Sequence, residues 1–301
     1  MSDPQTVTII GLGSMGFGAA TALLRAGFRV KGVDLRSDVL QEFAARGGEA
    51  YATAKLAGAS DIVFVFVVNA TQAKDVLFGP DGALNQARQG TVFVLCVTME
   101  PSSCIEIAAA LEASGMLVID APVSGGTQKA ATGELTVMGS GSQQAFDKAA
   151  LALEAIAAKV FQLDDKPGTG SKVKMINQLL AGVHIAATAE ALTLSAGLGL
   201  DLGTVFDVIR VSAGASWMFE NRGPHIVEGD YAARSAVNIF VKDMGIVTAE
   251  ATALGASTPL SETALSLFRE AAEAGLGLED DAAVAKILAH KSGLRLPGMG
   301  A

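Results

Sequence analysis

Three short stretches of the chain bring together residue types that can do chemistry. The first is GSKVKMINQ, residues 170 to 178, where Gly170, Lys174 and Asn177 follow at spacings of four and three and so share one helical face. Lys172 falls off that face. The segment running on from there, SKVKMINQLLAGVHIAATAEALTLSAGLGL, is apolar around most of its circumference. A lysine and an asparagine buried on such a helix are costly unless each has a partner or a task. Desolvation disfavours an ammonium group, so a sheltered Lys174 is expected to titrate nearer neutrality and to take a proton from an alcohol, as a general base does. A lysine exposed at a helix start would carry no such meaning, and the spacing alone admits both readings.

The second stretch is DAPVSGG, residues 120 to 126, directly after the apolar run MLVI. Ser124 offers a hydroxyl, and Gly125 and Gly126 expose backbone N–H groups without side-chain obstruction, which together can hold a small carboxylate. The competing reading makes Ser124 a helix N-cap, with the glycines easing the turn. The third stretch is VTIIGLGSMG, residues 7 to 16, followed by the helical AATALLRAGF and then by RVKGVD, which ends in Asp34. A bare G-x-G-x-x-G is weak, but a strand before it, a helix after it and an acidic residue about twenty positions on make it a dinucleotide fingerprint. Gly11 permits the tight turn, Gly13 lets a pyrophosphate approach the backbone, and Gly16 lets helix and strand pack closely. The helix N-terminus then faces the pyrophosphate with unpaired N–H groups. Asp34 can accept from both hydroxyls of the adenosine ribose and repels a 2′-phosphate, so NAD is expected over NADP. Arg36, two residues later, can pair with such a phosphate and leaves the preference open.

These residues need a scaffold, and the hydrophobic pattern supplies one. Strands are expected at Val7–Ile10, Arg29–Asp34, Ile62–Val68, Thr91–Leu95, Met116–Asp120, Leu135–Met138 and Lys159–Gln162, with alanine- and leucine-rich helical segments between them. That alternation predicts a mostly parallel sheet covered on both faces, and the all-apolar IVFVFVV fits a central strand. The rhythm ends at DDKPGTGS, residues 164 to 171, where Pro167, Gly168 and Gly170 mark a boundary. Everything beyond reads as helix. The expected architecture is therefore α/β: a Rossmann-type, doubly wound parallel sheet over residues 1–165, then an all-helical domain for substrate and oligomerisation over 166–301. A length of 301 residues is consistent with two domains.

Composition narrows the function classes. A net charge of −9, with no basic run, argues against a nucleic-acid partner. Cys96 and Cys104 have no metal-ligand company and imply no disulfide framework, so no metal is expected. MSDPQTVTII lacks the basic n-region of a signal peptide, and the runs IVFVFVV and TVFVLCV fall well short of the ~20 residues that span a bilayer. A soluble, cytoplasmic protein without a membrane partner is expected. His184, His225 and His290 have no carboxylate near them in sequence; His184, on the apolar helix ten residues beyond Lys174, reads as a core histidine. Trp217 could wall a pocket or pack between helices, and the polar Asn221 and Arg222 after it favour the pocket.

GLGSMG, DAPVSGG, the G-x-x-x-K-x-x-N face and FVKDMGIV at residues 240 to 247 together resemble the β-hydroxyacid dehydrogenase family, whose members include 3-hydroxyisobutyrate dehydrogenase and tartronate semialdehyde reductase. The resemblance covers nearly the whole chain in order. It implies Lys174 as the catalytic acid/base, Asn177 holding substrate, and Ser124, Gly125 and Gly126 gripping its carboxylate. It also implies Thr98, in VTMEP, near the nicotinamide ribose, and Lys242 closing over the cofactor with Asp243 beside it. The expected cofactor contacts are Gly11, Leu12, Gly13, Ser14, Met15, Gly16, Asp34, Leu35, Val68, Asn69, Thr98 and Lys242, and Trp217 joins the substrate set. One departure is Gln178, where many members carry a second asparagine after the lysine. GASWMFENRGPHIVEGDY, with Trp217, Phe219, Asn221 and Arg222, looks like the branch acting on four-carbon sugar acids at C2, L-threonate among them.

The expected activity is thus NAD-dependent oxidation of a short sugar acid, L-threonate first, to a 2-oxo acid. The alternatives are a 3-hydroxyisobutyrate or tartronate semialdehyde type of hydroxyacid dehydrogenase, and a non-catalytic NAD-binding module. An imine reductase shares the architecture, but by the resemblance it replaces the lysine that this chain keeps. The apolar helix after Lys174 implies self-association, as a homodimer or homotetramer.

Overall fold

The computed structural model describes residues 5–300; residues 1–4, the start of the stretch inspected for a leader, lie outside the described residues. The chain divides into two compact units, residues 1–174 and 175–301.

In the first unit nine strands form one sheet: β1 (Thr6–Ile10), β2 (Arg29–Val33), β3 (Glu49–Tyr51), β4 (Ile62–Val65), β5 (Val92–Leu95), β6 (Leu117–Asp120), β7 (Val123–Ser124), β8 (Leu135–Gly141) and β9 (Ala157–Asp164). Their order is β3-β2-β1-β4-β5-β6-β8-β7, with β9 paired to β8. From β3 to β6 every pairing is parallel, and β8 meets β6 and β7 antiparallel. The helices of this unit are α1 (Gly16–Arg25), α2 (Ser37–Ala45), α3 (Ala54–Ala57), α4 (Ala70–Phe78), α5 (Pro101–Ala113), α6 (Gly126–Thr132) and α7 (Gln143–Ile156). The order 3-2-1-4-5-6 is that of a doubly wound dinucleotide fold, with its switch point between β1 and β4.

The apolar strands are buried on both faces, and successive residues go to different cores. Ile62 and Phe64 of β4 join Val92 and Val94 of β5 in one cluster, while Val63, Val65, Phe93 and Leu95 join the other. This explains why IVFVFVV shows no polar alternation. The strand itself ends at Val65, short of the expected Val68, although the Phe66 N–H still donates to the Ile10 carbonyl at 2.7 Å. The three-residue β3 and two-residue β7 were not expected, being too short to show a two-residue period.

A long helix, α8 (Thr169–Gly197), follows the Pro167–Gly168 turn, and the division between units falls within it. The second unit continues with α9 (Leu202–Ile209), α10 (Trp217–Glu228), α11 (Val237–Leu254), α12 (Pro259–Ala271) and α13 (Val284–Lys291) around one core that includes Ile185, Leu192, Phe240, Met244, Leu265 and Phe268. Phe240 and Phe268 stack with centroids 5.2 Å apart. By length and composition α8 could cross a membrane, which the shorter strand runs could not; half of its most apolar window is buried within the chain.

Phe64 on the central strand has no exposed surface, so Phe64→Ala is expected to destabilise the fold by about 3–5 kcal/mol through lost burial and a residual cavity. A urea melt with an unchanged midpoint would contradict this.

Candidate active site

The carboxyl ends of the parallel strands carry the expected cofactor residues in sheet order: Asp34 after β2, Gly11 after β1, Val68 and Asn69 after β4, and Thr98 after β5. β1 runs into Gly11 at φ 92°, where an added Cβ would lie 2.6 Å from the Phe66 carbonyl oxygen. A Cβ on Gly16 would lie 1.9 Å from the Gly11 oxygen. Gly13 differs, since a Cβ there meets nothing within 4 Å. Two glycines therefore close the turn and the third leaves its backbone open to approach, which fits a pyrophosphate lying on the loop. Leu12 is buried, Met15 half-buried and Ser14 exposed.

Asp34 is tied to that loop. Its Oδ2 accepts from the Leu12 N–H at 2.9 Å, and its Oδ1 accepts from the Arg36 N–H at 3.0 Å and the Arg36 Nε at 2.9 Å. A second guanidinium nitrogen reaches Asp34 Oδ2 at 3.0 Å and the Leu12 carbonyl at 3.2 Å. Burial pushes the Asp34 carboxyl up, but the bonds from Arg36 and Leu12 outweigh it and hold the group below the usual carboxylate range. Arg36 is thus spent on Asp34. Leu35, 93% exposed beside it, offers an apolar surface at the same end of the sheet. Val68 is exposed and donates its N–H to Gln72 Oε1 at 2.9 Å, while Asn69 Oδ1 caps α4 by accepting from the Gln72 N–H at 2.9 Å. Thr98 is half-buried.

The second loop leaves β6 at Asp120. Val123 and Ser124 form β7 and pair with Val137 and Thr136 of β8. Gly125 and Gly126 both have positive φ, at 135° and 72°, which side-chain-bearing residues rarely adopt. Ser124 is not the N-cap that local sequence also allowed: α6 begins at Gly126 with Gly125 in the cap position and no side-chain cap bond. The hydroxyl and the two glycine backbones instead stand together on a rigid hairpin.

The start of α8 belongs to the same unit, and three polar residues that the motif reading passed over hold it there. Asp120 has no exposed surface. Its Oδ2 accepts from the N–H groups of Gly168 at 3.0 Å and Ser171 at 2.8 Å, and its Oδ1 accepts from Ser171 Oγ at 2.8 Å. Ser140 Oγ accepts from the Gly170 N–H at 2.9 Å and donates to Asp120 at 3.3 Å. Burial pushes the Asp120 carboxyl above the usual range, against the opposing pull of its bonds to Ser171 and Gly168. The signal in the sequence was an aspartate closing an otherwise apolar strand, a position that burial makes costly without partners. Lys174, one turn beyond Ser171, is 8% exposed, so the sheltered reading of this residue holds.

In the second unit Asn177 Nδ2 donates to Gln178 Oε1 at 2.9 Å, Gln178 Nε2 donates to Asp243, and Lys242 pairs with Asp243 Oδ1 at 2.9 Å. The departure at Gln178 is thereby explained in part: its side chain reaches α11 and joins Asn177 to the Lys242–Asp243 pair. Trp217 opens α10, half exposed, behind the N-cap Ser216, whose Oγ accepts from the Phe219 N–H at 3.0 Å. Arg222 lies in the core rather than toward a substrate, with its Nη2 on Asp281 at 2.9 Å. His225, remote from any carboxylate in sequence, has its Nδ1 2.8 Å from Asp280 Oδ1. Burial raises Asp281 above the usual range, whereas in Asp280 the neighbouring His225 and Arg222 overcome burial and lower it. His184 is half-buried. No cluster of potential metal ligands occurs among the described residues.

Comparison with known proteins covers both units. Residues 6–163 match the NAD binding domain of 6-phosphogluconate dehydrogenase, and residues 168–288 match the NAD-binding domain of NADP-dependent 3-hydroxyisobutyrate dehydrogenase. The chain is 50% identical to an L-threonate dehydrogenase of Cupriavidus necator over 98% of both proteins. It is 49% identical to the L-threonate dehydrogenase of Escherichia coli K12 over 97% of this chain and 96% of that one. A crystal structure described as 3-hydroxyisobutyrate dehydrogenase from Salmonella typhimurium superposes with a TM-score of 0.90 at 49% identity, covering 94% of this chain and 99% of that one.

Replacing Asp34 by serine removes the ribose acceptor and releases Arg36. The kcat/KM for NAD is expected to fall by roughly tenfold or more, the size of one charge-assisted hydrogen bond, while that for NADP rises. An unchanged ratio of the two would refute the assignment. Because the folded-state pKa of Asp34 is depressed, the group stays ionised above about pH 4, so NAD affinity measured by titration should be flat from about pH 8 to about pH 5 on its account.

Proposed function

The chain belongs to the NAD-dependent β-hydroxyacid dehydrogenase family, and on that premise we propose that it oxidises L-threonate at C2, giving 2-dehydro-L-erythronate, with Lys174 as general base. The observation that carries this reading is a nearly buried lysine one helical turn beyond an anchored helix start, in the same unit as the Ser124–Gly126 hairpin and the dinucleotide loop. The relatives at about half identity along nearly the full length supply the sugar-acid class.

The substrate carboxylate rests on the Ser124 hydroxyl and the N–H groups of Gly125 and Gly126. Gly11 to Gly16, Asp34, Leu35, Val68, Asn69 and Thr98 would hold NAD, which when bound would supply a hydride acceptor. Lys174, as the neutral amine, takes the C2 hydroxyl proton at Nζ while the C2–H bonding pair leaves as hydride and C2 becomes a carbonyl. Lys174 is 8% exposed, which keeps bulk water away from the proton transfer. Asn177, three residues on along α8 and fixed by Gln178, orients the reacting hydroxyl. Trp217 shapes the room for a four-carbon chain. The solved relative described as 3-hydroxyisobutyrate dehydrogenase makes branched 3-hydroxy acids the second substrate class to test.

We also place the protein in the cytoplasm as a homodimer or homotetramer. Two free buried cysteines accord with a reducing compartment. α9, LGTVFDVI, buries none of its own residues although it is strongly apolar, and Leu198, Val208 and the 81%-exposed Val211 leave large hydrophobic side chains uncovered nearby in sequence. A second copy of the chain would cover such a surface.

Lys174→Ala is expected to reduce NADH production by at least about 10²-fold while NAD binding persists, in line with loss of a general base. Initial rates for L-threonate, erythronate, glycerate and 3-hydroxyisobutyrate, each with NAD and NADP, should rank L-threonate with NAD first; a higher kcat/KM for 3-hydroxyisobutyrate would replace the substrate assignment. In sedimentation velocity the protein should run as a dimer or tetramer, and Val208→Glu with Val211→Glu should shift it toward monomer. A monomeric native protein would end the oligomer proposal.

A further inference from the structure

We propose that Asp120 is a positioning residue for the reaction: its buried carboxylate caps the first turn of α8 from the sheet and so fixes Lys174 relative to the Ser124–Gly126 hairpin. The proposal rests on Lys174 being the base and adds what holds it in place.

A helix start leaves its first N–H groups without intrahelical partners, and a local Ser, Thr, Asp or Asn ordinarily satisfies one of them. The residue before α8 is Gly168, which has no side chain to do so. The cap comes instead from 48 and 51 residues away in sequence, through Asp120 Oδ2 to the N–H groups of Gly168 and Ser171, and Ser140 Oγ takes the Gly170 N–H. These acceptors are not independent of the substrate loop. Asp120 and Ser140 are register partners on the β6–β8 ladder, and Val123 and Ser124 pair three and four positions further on with Val137 and Thr136 of the same β8. The Met138 N–H, between those rungs, donates to the Pro122 carbonyl at 3.0 Å. One strand therefore references both the loop that grips the carboxylate and the turn that precedes the base.

Close contact completes the registration. A Cβ on Gly170 would lie 2.3 Å from the Met138 oxygen and 2.8 Å from the Asp120 oxygen, so the helix backbone rests directly on the strands. Ser171 reaches Asp120 with both its N–H and its hydroxyl, which fixes rotation about the helix axis as well as position. Lys174 follows three residues later, where any rotation of the first turn would swing Nζ away from the reacting oxygen. A carboxylate is the strongest available acceptor for such N–H groups, and its negative charge also complements the helix N-terminus.

The experiment compares Asp120→Asn, Asp120→Ala, Ser171→Ala and Lys174→Ala with the wild-type full-length enzyme, measuring kcat and KM for L-threonate at saturating NAD together with NAD-binding stoichiometry and affinity. Asp120→Asn keeps an oxygen for the two N–H groups and should retain most of kcat. Asp120→Ala should lower kcat by about 10²-fold, as expected for a displacement of about an ångström at the reacting centre, with NAD binding intact. Ser171→Ala, which deletes only the Oγ bond, should give a smaller loss in the same direction and serves if Asp120→Ala does not fold. Wild-type kcat in Ser171→Ala and in every Asp120 variant that folds, alongside an inactive Lys174→Ala, would overturn the anchor and leave the base assignment standing. In Ser171→Ala, a kcat loss accompanied by an equal loss of NAD-binding stoichiometry would also overturn it, because that reports unfolding rather than misplacement. Wild-type turnover in Lys174→Ala would remove the base itself and with it the reason to position it.

Discussion

A carboxylate with no exposed surface, set at the last residue of β6, carries the heaviest physical constraint in the first unit. Removed from water, it must find donors inside the protein, and it finds them at a helix start, that of α8, whose first N–H groups have no intrahelical partner. Each side of the contact solves the other's problem. The charge is solvated by N–H groups and a hydroxyl, and the helix start is capped without any polar residue of its own at the cap position. The glycine at position 170 follows from the same contact, since a β-carbon there would overlap the carbonyl oxygens of Met138 and Asp120.

The dinucleotide loop shows a related use of close approach. Gly11 and Gly16 are there because the loop, β4 and α1 meet backbone to backbone, and Gly13 is there because something other than protein must approach. Asp34 ties this loop to β2, receiving the Leu12 N–H and the Arg36 side chain. Arg36, which in the sequence could have argued for a phosphate, becomes the partner that keeps Asp34 ionised and oriented.

The helical unit solves its own burial problems by pairing. Arg222 and His225, one turn apart on α10, meet the consecutive carboxylates Asp281 and Asp280. These contacts hold α10 against the turn before α13 and account for the burial of Arg222 and His225. On α8 and α11, Asn177, Gln178, Asp243 and Lys242 form a continuous polar chain through otherwise apolar helices. The longer side chain at 178 spans the gap to Asp243, a consequence that spacing along one helix could not disclose.

Much of the architecture was legible in the sequence because it depends on short-range pattern. Unbroken apolar runs announced strands covered on both faces, the glycine spacing with Asp34 announced the dinucleotide turn, and the Gly170–Lys174–Asn177 interval placed a lysine and an asparagine on the helical face that begins at Gly170. Strands of two or three residues stayed hidden, since so short a run carries no period. What only the tertiary structure decided is which polar groups meet across long separations: Asp120 with Ser171, Arg222 with Asp281, and Gln178 with Asp243. The physical reason is that periodicity reports which face of an element is buried, whereas a buried charge or amide is stable only opposite a specific partner, and that partner is chosen by how the strands and helices pack.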